Sequence, residues 1–141
     1  MSIPVAVDRP FRSDLLTLDP PRLRGSRCPR CATTVFPPRA FCPACRSGAE
    51  PEHVALGVEG RVCSFTVVRQ APAGIEVPYV LAQIDLPADG VRLMATVVGV
   101  APEDVVLDMP VTLETCPFGS DEDGAVLVGY RFRATGAEVT A

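Results

Sequence analysis

Residues 27–45 read RCPRCATTVFPPRAFCPAC, and its four cysteines, Cys28, Cys31, Cys42 and Cys45, decide how the rest of the chain is read. Each Cys-x-x-Cys turn presents two sulfurs, and a hairpin between the turns brings the pairs together, so four thiolates can occupy the corners of a tetrahedron. That is the spacing of a zinc ribbon. Pro29 and Pro43 follow the first cysteine of each pair and fix φ there, which lowers the entropy of shaping each half-site. A closed set of four cysteines leaves no coordination position open, so the zinc is expected to be structural. Two disulfides in a secreted domain would use the same cysteines. That reading is disfavoured because no apolar export segment is read at the start and small disulfide scaffolds are denser in cysteine. A redox dithiol would need one such motif on a βαβ unit.

The chain has 141 residues, 48% of them hydrophobic, enough for a small metal module and one further domain. No apolar run approaches the roughly 18 residues that cross a bilayer, so no membrane association is expected. With six cysteines to keep reduced or metallated, the expected compartment is the cytoplasm. The net charge of −4 divides unevenly: residues 1–50 hold eight Arg and four acids, residues 51–141 five Arg and thirteen acids. Every cation is an arginine, a planar fork suited to phosphate or carboxylate. The basic front half can therefore face an anionic ligand or an acidic partner, or be plain solvated surface.

Residues 1–21 are expected to form an arm. Ser13 can cap a short helix over SDLLTL, bounded by Pro10, Pro20 and Pro21. Phe11, Leu15, Leu16 and Leu18 would be an exposed apolar cluster on a lone arm, so they must pack on this domain or on another chain. Residues 22–50 are assigned to the ribbon, with a strand from Arg22 to Arg27 and a hairpin over TTVFPP. Residues 46–58 read as a connector, and His53, the single histidine, as an ordinary surface residue. From residue 51 to 141 the texture is β. RVCSFTVVRQ, PYVLAQIDL, VRLMATVVGV, PVTLETC and AVLVGYRFRA are five runs rich in Val, Thr and aromatics, separated by Pro, Gly and Asp. Five strands, with a tight turn at ADG and a helical turn in APEDVVLDM to plug one end, match a small OB-fold barrel. The fold class is thus mainly β: an arm, a rubredoxin-like zinc ribbon and a five-stranded OB barrel, with separable cores.

The ribbon segment FPPRAFCPAC followed by GRVCSFTVV and PYVLAQIDL resembles the DUF35 family, over roughly residues 22–134. Asp108 stands where such proteins usually have Gly before the fourth strand. The resemblance implies a non-catalytic accessory subunit of a thiolase-fold enzyme, of ketothiolase, acyltransferase or aldolase type. It would support assembly and acyl-CoA binding as part of a hetero-oligomer. On that footing Arg30, Arg39 and Arg46 are candidates for the phosphates of coenzyme A.

Single-stranded nucleic acid is the alternative partner, since zinc ribbons and OB barrels both serve that purpose. The acidic second half and the lack of Trp argue against it. A free-standing enzyme is also disfavoured, because one histidine gives no Ser, His and Asp constellation. Cys63 and Cys116 are the conceivable nucleophiles, but each lies in a β run where a small buried hydrophobe is the commoner role.

Overall fold

The structure, a computed structural model, describes residues 8–135 apart from Asp19, Ser47, Asp121 and Asp123. Ten strands follow in order: β1 (Arg9–Pro10), β2 (Leu16–Leu18), β3 (Pro21–Arg27), β4 (Thr34–Val35), β5 (Glu52–Ala55), β6 (Glu59–Val68), β7 (Tyr79–Leu86), β8 (Val91–Val98), β9 (Pro110–Ser120) and β10 (Val126–Ala134). β6, β7, β8, β10 and β9 pair in that order, and β9 returns to β6, closing the five-stranded barrel. All contacts are antiparallel except β8 with β10, which run parallel. No helix among the described residues is long and apolar enough to cross a membrane.

Strict alternation builds the barrel interior. Val80, Ala82, Ile84 and Leu86 on β7 and Val91, Leu93, Ala95 and Val97 on β8 are buried, while their neighbours face outward. Phe132 of β10 is fully buried at the centre. Gly60 sits where β6 passes from β7 to β9, and a Cβ there would lie 2.6 Å from Ile84 Cγ2. The turn after β8 contains only a 3₁₀ turn, Pro102–Asp104, none of whose residues is buried. The residues beyond it, Val105 and Met109, enter the core instead. Asp108 adopts φ +68°, the left-handed conformation that glycine takes without strain, which accounts for the glycine expected there.

The arm corrects an expectation. It forms no helix: Arg12 O accepts from the N–H groups of Leu15 and Leu16, making one turn, and the chain then runs into β2. So few residues between prolines cannot repay helix nucleation, whereas pairing Leu16 with Leu23 on β3 satisfies the backbone and buries both leucines. Leu15 is buried, Leu18 packs against the core, and Phe11 lies 6.2 Å from the Tyr130 ring. β1 joins β10 in parallel. The apolar cluster of the arm is therefore covered by its own chain.

The connector also differs from expectation, because β5 pairs with β3 and belongs to the ribbon's sheet. Leu16, Leu23 and Leu56 share one apolar cluster with Val62, Ile84, Val111 and Phe132. Separable cores are thus not what the fold contains. Cys28 and Cys42 are buried outside that cluster, so only the metal-binding turns stand apart.

Across the barrel surface Glu114 on β9 accepts from Arg131 Nε at 2.6 Å and from Arg133 Nε on β10. Those arginines, Arg133 first, hold the Glu114 carboxyl below its usual range. Asp85 is lowered in the same way by Arg92, 2.6 Å away.

Leu16→Ala should lower stability by about 2–5 kcal/mol, measured by chemical denaturation, because it empties a fully enclosed site in the shared core. A change under about 0.5 kcal/mol would show that the arm is not part of it. A carboxylate whose folded pKa is depressed contributes stability above its unfolded pKa, and loses it as pH falls through the folded value. Glu114→Gln should therefore flatten the decline in stability below about pH 4.5, while costing stability at neutral pH.

Candidate metal centre

The two cysteine turns are held by short backbone bonds. In the first, Ala32 N–H donates to Cys28 O at 2.9 Å and Cys28 N–H to Thr33 O at 2.9 Å, with Ala32 at φ +64°. In the second, Arg46 N–H donates to Cys42 O at 3.1 Å, with Arg46 at φ +52°. A left-handed residue ends each turn and folds the chain back over the sulfurs. Backbone N–H groups then point at sulfur: Arg30 N–H lies 3.4 Å from Cys28 Sγ and Cys45 N–H 3.5 Å from Cys42 Sγ. Such donors favour thiolate over thiol.

All four Sγ atoms lie within 4.8 Å of one another. The Cys28–Cys45 and Cys31–Cys42 pairs are each 3.6 Å apart, too long for disulfides, which need about 2.05 Å. With Zn–S bonds of about 2.3 Å, a tetrahedral site has edges of about 3.8 Å. The cluster is of the size and donor type that ion takes. Thr33, through its hydroxyl and then its N–H, lowers the Cys31 thiol to about 6. Cys28 is also lowered, chiefly by the Cys31 N–H. At Cys42 the Cys45 N–H pulls downward, but burial and the neighbouring thiols win and raise it.

The arginines singled out from the sequence are not gathered into one pocket. Arg30 is exposed in the first turn and Arg46 at the end of the second. Arg39 lines a cleft of about 350 Å³ with Asp14, Pro38, Glu50, Pro51 and His53. Its backbone N–H donates at 2.9 Å to the hydroxyl of Ser26, the one buried polar side chain among the described residues. Ser26 in turn pairs with His53 across β3 and β5, so one serine fixes both sides of the cleft. Nothing in the sequence marks that serine, since its role depends on a loop thirteen residues away. Cys63 and Cys116 are both half-buried, and burial raises the Cys116 thiol, the opposite of an activated nucleophile.

Residues 18–52 match the family model described as ChsH2, rubredoxin-like zinc ribbon domain, and residues 53–116 that described as ChsH2, C-terminal OB-fold domain. A DUF35 domain-containing scaffold protein of Methanocaldococcus jannaschii is 39% identical over 114 residues, covering 79% of this chain and 80% of that protein. The benzoylsuccinyl-CoA thiolase subunit BbsA of Thauera aromatica is 36% identical over 113 residues, covering 80% and 76%. Among solved structures, a chain of an Ltp2-ChsH2(DUF35) aldolase superposes with a TM-score of 0.64 at 34% identity, covering 80% of this chain and 84% of that one.

Protein purified without chelator should carry about one zinc per chain by elemental analysis, and less than about half an equivalent would count against the site. Cys42→Ser should raise hydrogen exchange across residues 28–46 while β3 and β5 stay protected by the shared core. Loss of the whole β signal in circular dichroism would show instead that the core depends on the metal.

Proposed function

The chain belongs to the DUF35 family, in which a zinc ribbon precedes an OB-fold barrel, and from that membership we propose that it is a non-catalytic accessory subunit of a thiolase-fold enzyme complex. The complex is of ketothiolase, acyltransferase or aldolase type. The observation that carries this reading is similarity across both modules, at 34–39% identity, to proteins named as a scaffold, a thiolase subunit and a component of an aldolase. The residues agree with it. The one hydroxyl register-paired with His53, that of Ser26, is buried and taken up by the Arg39 N–H, and His53 itself lies in a cleft with Arg39 and carboxylates.

In this role zinc at Cys28, Cys31, Cys42 and Cys45 fastens the two turns, and the partner supplies the acyl chemistry. Arg39, with Arg30 and Arg46 on the same metal-held segment, offers planar forks to the phosphates of an acyl-CoA. An acyl-CoA role implies the cytoplasm as the compartment. Single-stranded nucleic acid is a weaker fit. On the barrel Arg61, Arg92, Arg131 and Arg133 are each engaged by a carboxylate, Phe132 is core, and Tyr130 packs against Phe11 and Phe36. Few cations or aromatic faces remain there for phosphates and bases.

Co-expression with a thiolase-fold protein from the same operon should give a stable complex that turns over an acyl-CoA, each chain alone being inactive. In that complex Arg39→Ala should raise KM for the acyl-CoA about tenfold, the loss of one charge-assisted phosphate contact. Full activity of the thiolase-fold chain by itself would overturn the accessory role.

A further inference from the structure

We propose that the open half of β6, residues 64–68, is a docking edge where an extended apolar segment of the thiolase-fold partner adds to the sheet and places a large side chain in the cavity beside it. The inference rests on the subunit reading and deepens it by naming the surface.

β6 pairs with β7 along its length but with β9 only at Glu59, Gly60 and Arg61. Val62 makes the last contacts on that side, donating to Met109 O and accepting from Asp108 N–H. Beyond it, no backbone group of β6 on the side away from β7 has a partner among the described residues. In an antiparallel ladder every second residue turns its N–H and C=O away from its neighbour, so residues 64–68 present an open row of both. Protein edges of this kind are usually guarded by Lys, Pro, a charge or a bulge. Ser64, Phe65, Thr66, Val67 and Val68 supply none, and the one irregularity, between Val62 and Ser64, lies before the open stretch.

A second observation points to the same place. A cavity of about 340 Å³ opens beside this edge, lined by Ser64, Phe65, Thr66, Leu81, Gln83 and Met94, without a charged side chain. Phe65 is 37% exposed and Met94 55%. Met94 stands on the cavity's face and Phe65, paired with Ala82, on the opposite face, so exposed apolar side chains flank the open backbone on both sides, as at an interface centre. In strand addition the backbone row gives affinity and a pocket for alternate side chains gives specificity. Both are present within three adjacent strands.

A second copy of this chain fills the cavity poorly. Ser64 and Thr66 face the same way as Gln83 and Leu81, their register partners. A copy pairing antiparallel with faces matched would offer Ser64, Thr66 and Val68, all small, to a cavity sized for more. The occupant that fits is a different chain carrying a Leu, Met or Phe at the matching position of an extended segment.

The test uses the full chain with the co-expressed thiolase-fold protein. In the complex, amides of residues 64–68 should exchange at least about tenfold more slowly than in the chain alone. Met94→Lys and Thr66→Lys, both on the exposed surface, should each weaken the complex at least about tenfold by titration calorimetry, with Tm unchanged. If both variants bind as wild type does and exchange at 64–68 is unaltered, the docking edge is wrong while the subunit reading stands. Protection of these amides in the chain alone, with a dimer by light scattering, would assign the edge to a second copy and overturn the proposal. Failure to form any complex overturns the subunit reading and the docking edge with it.

Discussion

Burial of Leu16, Leu23 and Leu56 against the barrel is the constraint on which the remaining structure depends. Each is essentially inaccessible to solvent, and each comes from a different strand or strand end outside the barrel. Full burial of a leucine contributes about 1.5–3 kcal/mol, so three together are large beside the 5–15 kcal/mol that separates folded from unfolded domains. The ribbon's sheet is thereby part of the barrel's core. The cysteine turns project from a platform built by that core, which leaves zinc the narrower task of shaping residues 28–46.

Charge is arranged around this frame in two distinct ways. On the barrel, the arginines at 61, 92, 131 and 133 are neutralised across strands by Asp108, Asp85 and Glu114. Along the metal-held segment, Arg27, Arg30, Arg39 and Arg46 are exposed and none meets a carboxylate among the described residues. Residues 20–49 contain six arginines and no acid. Surface pairs of the first kind contribute little to stability, about 0–1 kcal/mol, yet they remove the barrel's cations from use elsewhere. The second kind stays open, so the barrel carries its cations paired and the ribbon carries them unpaired among the described residues.

The metal centre and the five barrel strands could be read from residues alone because their signals are local. Cysteine spacing encodes a half-site within four residues, and alternation in YVLAQIDL or VRLMATVV encodes a buried face within eight. Position 108 was marked only by the family resemblance, as a place where glycine is usual, and the positive φ of Asp108 gives the reason. The arm misled for an equally physical reason. SDLLTL satisfies a helix cap and a helix period, but Leu-Thr-Leu satisfies a strand period as well, and only the presence of Leu23 opposite Leu16 decides between them.

What the sequence determined by itself was the set of ligands, the number and phase of the barrel strands, and the split between basic and acidic halves. Tertiary structure alone decided where the unsatisfied groups went. It placed β5 in the ribbon's sheet, joined the two modules through one core, linked Arg39 to Ser26, and left the far side of residues 64–68 without a neighbour. These outcomes depend on which distant strand reaches a given backbone edge or apolar stripe first. Hydrogen bonds and burial are saturable, and competition among non-local partners for them has no signature in any short window of residues.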